Sequence, residues 1–176
     1  MTAGPGPLGG GLRFTPLSEA DAEEILRWRY TGELAVYGFD TPDPVARAEE
    51  KRDLLDPANG YHAARSAAGG LVGFCCFGPD AQVPGGDYEE PALDVGLGLR
   101  PDLVGQGLGL PFVEAILDFA RRAASPPRFR LTVAAFNRRA ARVYERAGFE
   151  PVARFERRAP DGQRIGAEFI VMVREI

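Results

Sequence analysis

The stretch Leu93–Arg122, LDVGLGLRPDLVGQGLGLPFVEAILDFARR, decides how the rest of this chain reads. Ala92 to Arg100 reads as an apolar strand, Pro101 marks a turn, and Gly105-Gln106-Gly107-Leu108-Gly109 is a glycine-rich loop. An amphipathic helix follows from Leu110 to about Ala123, with Val113, Ile116, Leu117 and Ala120 on its apolar face. The first turn of a helix carries backbone N–H groups without intrahelical partners and the positive end of the helix dipole. Glycines let a phosphate approach those groups with no Cβ in the way. The stretch therefore predicts a pyrophosphate-bearing ligand. A nucleoside-triphosphate loop needs a lysine after its glycines, and Lys51 is the only lysine in the chain. A dinucleotide fingerprint needs a small residue where this chain has Leu110 or Phe112.

A second motif lies downstream. Phe129 to Val133 reads as a strand, and AAFNRRAARVYERAGFEPV follows from Ala134 to Val152. Asn137 is an N-cap for a helix from Arg138 to Ala147, and Gly148 is its natural stop. Asn137 and Tyr144 are two helical turns apart, so both project from one face, roughly 10 Å apart along the axis. Helical side chains lean toward the N-terminus, which brings the Tyr144 hydroxyl back toward Asn137.

The two motifs, in this order and separation, resemble the GNAT acetyltransferases. That family's cofactor loop runs R/Q-x-x-G-x-G/A; its last two glycines match Gly107 and Gly109, and Val104 stands at the leading Arg/Gln position. The resemblance covers about residues 12–174 and lies closest to the bacterial branch that includes ribosomal-protein alanine N-acetyltransferases. It implies an α/β (α+β) fold: a mixed, twisted sheet of about seven strands, with helices on both faces. Periodicity alone says only α/β or α+β. The resemblance also implies acetyl-coenzyme A as co-substrate, held by Leu97, Gly98, Leu99, Val104, Gly105, Gln106, Gly107, Leu108, Gly109, Leu110 and Asn137. Acetyl would pass directly to an amine. Backbone N–H groups of Leu97 to Leu99 would stabilise the developing oxyanion, and Tyr144 would protonate the leaving thiolate. Asp94, on the strand leading into the loop, is the candidate base, with Glu33, Asp40 and Glu90 as alternatives and water as a fourth. Gly96 and Gly98 in that strand predict a bulge, a close approach or a bend.

Length and composition fit one domain, residues 12–176, behind a Gly/Pro-rich tail, residues 1–11, expected to be disordered. No run of eighteen apolar residues exists, and MTAGPGPLGGG is no secretory signal, so a cytoplasmic protein without a membrane partner is expected. Cys75 and Cys76 are adjacent in a strand and point to opposite faces, as free thiols suited to a reducing compartment. His62, the only histidine, reads as structural, and no donor cluster has metal-ligand spacing. The net charge of −4 conceals a split: residues 1–120 carry 8 basic and 19 acidic side chains, residues 121–176 carry 13 and 6. A basic surface near phosphates and an acidic one near a cationic amine would follow, and nucleic acid is not an expected partner.

Elsewhere, Leu12 to Leu17 reads as a strand, and Ser18 with Asp21 approximates a capping box for a helix carrying Ala22, Ile25, Leu26 and Arg29. Trp28, Tyr30, Tyr37 and Phe39 form an aromatic cluster beyond it. Asp43 and Pro44 start a helix to about Leu55. Tyr61 to Ala67 and Leu71 to Phe77 read as a hairpin, and Gly78 to Pro91 as a polar loop overhanging the site. Glu150 to Arg158 and Ile165 to Val173 form a closing hairpin about a turn at Pro160-Asp161-Gly162. Three functions stay open: acetylation of a peptide or protein N-terminal amine, acetylation of a small cationic amine, and a non-catalytic module that senses acetyl-coenzyme A. The resemblance allows a homodimer.

Overall fold

The computed structural model describes residues 8–39, 41–158 and 164–176. At the centre of its sheet stands the strand that opens the Leu93–Arg122 stretch. The strands are β1 (Arg13–Pro16), β2 (His62–Arg65), β3 (Leu71–Phe77), β4 (Leu93–Leu99), β5 (Arg128–Ala134), β6 (Glu150–Arg158) and β7 (Arg164–Glu175). They form one seven-stranded sheet in the order β1-β2-β3-β4-β5-β7-β6. Every neighbouring pair is antiparallel except β4 and β5, which are parallel, so the mixed sheet expected by resemblance is what forms.

The helices are α1 (Glu19–Ile25), α2 (Pro44–Leu55), α3 (Gly109–Ala124) and α4 (Arg138–Arg146). α3 lays Phe112, Val113, Ile116, Leu117 and Ala120 against Val95, Phe129, Leu131 and Met172 of the sheet, forming the larger core. α1 and α2 cover the other face, where Ala22, Ile25, Leu26, Trp28 and Leu54 bury against Ala63 and Leu71. Local capping works as the side chains predict. Ser18 Oγ accepts from the Asp21 N–H at 3.2 Å while Asp21 Oδ2 accepts from the Ser18 N–H at 2.9 Å, and Asp43 accepts from the Val45 N–H at 3.1 Å. α1 ends at Ile25, so Arg29 lies beyond it. Cys75 enters the larger core, and both thiols are free and buried. Leu8 is half-buried against the larger core, so the chain engages the domain ahead of Leu12. Residues 1–7 of the expected tail, Asp40 and the turn at Pro160-Asp161-Gly162 lie outside the described residues.

One defect in the sheet makes the site. β4 and β5 are in register only at Leu93↔Phe129 and Asp94↔Arg130. Beyond that point β4 follows β3 as far as Leu99, and β5 follows β7 as far as Ala134. Each strand keeps its antiparallel partner, and the twist of the two half-sheets carries them apart into a wedge.

A buried ion pair closes the wedge at its narrow end. Arg130 and Asp94 are 5% and 4% exposed, with Nε to Oδ1 at 2.6 Å and Nη2 to Oδ2 at 2.8 Å. The same guanidinium donates to the carbonyls of Glu90 and Tyr88 at 2.9 and 3.3 Å and lies over the Tyr88 ring. Arg130 thus fastens the loop Gly78–Pro91 to the sheet.

Candidate active site

The wedge exposes backbone groups that a continuous sheet would have paired. Gly78 N–H donates to the Asp94 carbonyl at 3.0 Å, and Arg100 N–H donates to Val72 at 2.9 Å, so even-numbered residues of β4 direct their backbone to β3. The alternation of an antiparallel ladder then turns the N–H and C=O groups of Val95, Leu97 and Leu99 into the wedge. The Tyr30 hydroxyl donates to the Leu99 carbonyl at 2.8 Å, on this open side. Leu97 and Leu99 therefore offer N–H donors, while the Gly98 amide faces β3. The two strand glycines answer close packing rather than a bulge. A Cβ at Gly98 would stand 2.4 Å from the Phe74 ring, and one at Gly96 would stand 2.6 Å from Cys76 Sγ.

At the mouth of the wedge the chain makes the loop that the glycines predict. Gly105 and Gly107 have φ of +84° and +77°, where a side chain is disfavoured. α3 starts at Gly109 with no side-chain cap, so its first-turn N–H groups are available to an anion. A Cβ at Gly109 would meet Val143 of α4 at 3.0 Å, which brings the starts of α3 and α4 together. A Cβ at Gly107 would meet nothing within 4 Å, so this glycine faces open space. Gln106 donates to the Asp102 carbonyl at 2.6 Å, stiffening the loop from outside.

A cleft of about 740 Å³ runs from this loop into the wedge. The expected residues Leu97, Leu99, Val104, Gly105, Gly107, Gly109, Leu110, Asn137 and Tyr144 line it; Gly98, Gln106 and Leu108 do not. α4 adds Arg139, Arg142 and Arg146, a cationic wall beside the helix N-terminus. The cleft continues through the wedge to the opposite face, where Tyr30, Leu34, Tyr37, Phe74, Ala81 and Thr132 form its far end.

Tyr144 and Asn137 share the face of α4 that looks into the cleft. Tyr144 leans edge-on against Phe149, with ring centroids 6.3 Å apart, and among the described residues its hydroxyl has no hydrogen-bond partner. Burial, with a smaller contribution from Tyr37, pushes its phenol above the usual range, so it stays protonated at neutral pH. Asn137 Oδ1 accepts from the Ala140 N–H at 3.2 Å as the helix cap, and its Nδ2 donates to the Tyr37 hydroxyl at 3.3 Å.

Tyr37 belongs to the short 3-10 segment Gly32–Tyr37, which lines the cleft with Leu34 and Tyr37. The aromatic cluster read from the sequence divides here. Trp28 and Phe39 pack on Phe74 in the second core, whereas Tyr30 and Tyr37 reach the cleft. Burial pushes Tyr30 up to about 12. The division could not be read from spacing, because all four residues lie in one irregular stretch.

The carboxylates go elsewhere. Asp94 does not line the cleft: both of its oxygens receive Arg130, and Gln82 donates to Oδ2 at 2.8 Å. Glu90 is exposed and ion-paired to Arg128 at 2.7 Å. Glu33 lines a smaller pocket of about 520 Å³ beside the mouth, with Arg138 and Arg139. His62 packs edge-on against Phe119 and bonds the Gly60 carbonyl through Nδ1 at 2.8 Å. Thr132, on the cleft floor, carried no signal in the sequence beyond its place in a strand.

The arrangement can hold a pyrophosphate on the loop, an extended arm along the wedge, a carbonyl oxygen on two N–H groups, and a protonated phenol beside them. A family model described as an acetyltransferase (GNAT) domain matches residues 11–150. N-alpha-acetyltransferase RimI of Mycobacterium tuberculosis is 32% identical over 136 residues, which is 77% of this chain and 77% of that protein. Among solved structures, AAC(6')-Ib in complex with paromomycin and acetyl-coenzyme A superposes with a TM-score of 0.69 at 20% identity, covering 93% of each chain. A chimera of spermidine N-acetyltransferase SpeG from Vibrio cholerae and hSSAT gives 0.65 at 18% identity, over 93% of this chain and 95% of the other. At these identities the structures share the fold.

Proposed function

The chain belongs to the GNAT acetyltransferase family, and from that premise we propose that it moves acetyl from acetyl-coenzyme A to the primary amine of a peptide or protein N-terminus. The observation that carries the catalytic reading is convergence. Two N–H groups, an anion cradle and a protonated tyrosine, contributed by β4, α3 and α4, meet in one cleft. Acetyl-coenzyme A would supply the activated thioester and the phosphates that the Gly105–Gly109 loop and Arg139 are built to receive. The N–H groups of Leu97 and Leu99 receive the carbonyl oxygen as negative charge develops on it, from positions already set by the sheet. Tyr144 gives its phenolic proton to the sulfur as the carbon–sulfur bond breaks. The acceptor nitrogen, neutral when it forms the carbon–nitrogen bond, sheds its surplus proton to water at the cleft mouth, and a proton from that water restores the Tyr144 phenol. No base is assigned to Asp94, whose oxygens are both held by Arg130.

The far end of the cleft supports the choice of acceptor. Among the described residues its lining is aromatic, aliphatic or hydroxyl-bearing and holds no carboxylate, so a polycation finds no dedicated counter-charge among them. Some of the acidic residues in 1–120 are taken up in ion pairs on the outside: Glu19 and Glu23 with Lys51, Asp102 with Arg100, Glu90 with Arg128. The relative from Mycobacterium tuberculosis, named for N-alpha-acetylation, points the same way. A small cationic amine is the second reading, favoured by Glu33 in the side pocket. The two buried free thiols fit a reducing compartment.

The test is thiol release from acetyl-coenzyme A against short peptides with free N-termini, spermidine and an aminoglycoside. Release with peptides alone supports the proposal, release with spermidine or the aminoglycoside selects the second reading, and binding without release for any amine would refute transfer to an amine.

A further inference from the structure

We propose that Thr132 positions the acceptor amine, with its hydroxyl oriented for that purpose by Tyr88 from the loop Gly78–Pro91. This rests on the transferase reading above. Thr132 lies on β5 beside the open part of the wedge, on the same face as Arg130, and lines the cleft. The residues of the cleft on this face are Tyr30, Leu34, Tyr37, Phe74 and Ala81, whereas the phosphate cradle comes from α3 and α4 on the other. An acceptor reaching the thioester from this face would pass Thr132. Gly96, across the wedge on β4, lines the cleft as well.

The hydrogen bonds around Thr132 dictate what it can offer. Tyr88 Oη accepts from the Val83 N–H at 3.0 Å and donates to the Val83 carbonyl at 3.2 Å. Thr132 Oγ1 lies 3.0 Å from the same Tyr88 oxygen. A phenol has one proton: given to the Val83 carbonyl it makes Thr132 the donor to Tyr88, and given to Thr132 it occupies only one of the two Oγ1 lone pairs. In both arrangements Thr132 Oγ1 keeps a lone pair that can accept from the cleft. An amine N–H is the complementary group. A hydroxyl fixed this way takes one N–H and aims the nitrogen lone pair, at little entropic cost because the rotor is already set. Tyr88 is itself held: Arg130 donates to its carbonyl and lies over its ring, 4.9 Å from the centroid. The buried ion pair at the closed end of the wedge thereby supports the acceptor site.

The experiment compares the parent with Thr132→Val, Thr132→Ser and Tyr88→Phe, using an N-terminally free peptide and spermidine. Acceptor KM is measured in turnover, and acceptor Kd by calorimetry in the presence of coenzyme A. Thr132→Val, close to isosteric, is expected to raise acceptor KM and Kd by roughly 10- to 100-fold, as for loss of a hydrogen bond to a charged or polarised group. Affinity for coenzyme A should stay within about twofold, and Thr132→Ser should restore acceptor binding. Tyr88→Phe, which frees the rotor from outside the cleft, should cost less than Thr132→Val and in the same parameter. Unchanged acceptor KM and Kd in Thr132→Val, or a loss of coenzyme A affinity equal to the loss of acceptor affinity, overturns the proposal. A parent that neither binds nor acetylates either amine overturns the transferase reading, and this inference with it.

Discussion

Replacing Asp94 by Asn separates two roles that one carboxylate could play. The side chain is 4% exposed, and its partner Arg130 is 5% exposed. An amide keeps the shape of the carboxylate but loses the charge, and its NH₂ confronts a guanidinium that can only donate. Removing one member of a buried pair leaves an uncompensated charge and costs about 3–5 kcal/mol. Domains of this size lose about 2–4 °C of Tm per kcal/mol, so a fall of about 6–20 °C is expected. Out of a total stability of about 5–15 kcal/mol, that is a large share. Asp94→Leu with Arg130→Met, which removes both charges together, should recover most of it. The assay is thermal unfolding followed by circular dichroism, paired with kcat measured well below each Tm. If Asp94→Asn melts with the parent while kcat falls a hundredfold or more, Asp94 is the proton acceptor and the argument from its burial and its pairing with Arg130 is wrong.

Tyr144→Phe should lower kcat by about 10²–10⁴ with little change in acetyl-coenzyme A affinity, the range for loss of a general acid; steady-state kinetics equal to the parent's would remove Tyr144 from the mechanism. Burial raises that phenol, so the alkaline limb of kcat should fall above the ordinary tyrosine value of 10.0, and a pH–rate profile shows whether it does. Gly107→Ala places a methyl group in open space at a φ of +77°, so its strain should be of order 1–2 kcal/mol while acetyl-coenzyme A binding by calorimetry weakens about tenfold or more; unchanged affinity would mean that phosphates do not approach there. Stability should decline in alkali. Burial raises Cys76 from 9.0 to about 12 and Tyr30 from 10.0 to about 12, so the unfolded chain gives up these protons first. Their contribution is complete below about pH 9 and is lost as pH climbs toward 12; a urea midpoint constant across that window would contradict the burial.

How much was legible in advance follows the range of the forces involved. Ser18, Asp43 and Asn137 cap their helices through bonds that span two or three residues, so the sequence alone determined those starts. The turn at Gly105 and Gly107, the amphipathic α3, and the facing of Asn137 and Tyr144 on one helix are equally local, and with them came the anion cradle and the candidate acid. Asp94 shows where that reasoning stops. Its place on the strand before the cradle is a sequence fact, but its partner Arg130 is 36 residues away and meets it only because the parallel register of β4 and β5 puts the two side by side. Tyr37 and Thr132 depended in the same way on which segments cross the wedge. Strand pairing, splay and loop placement are set by contacts between distant segments, whose energies depend on the packed whole. The chemistry available to this chain was therefore written in short motifs, and the identity of the groups that meet the acceptor was decided by the tertiary fold.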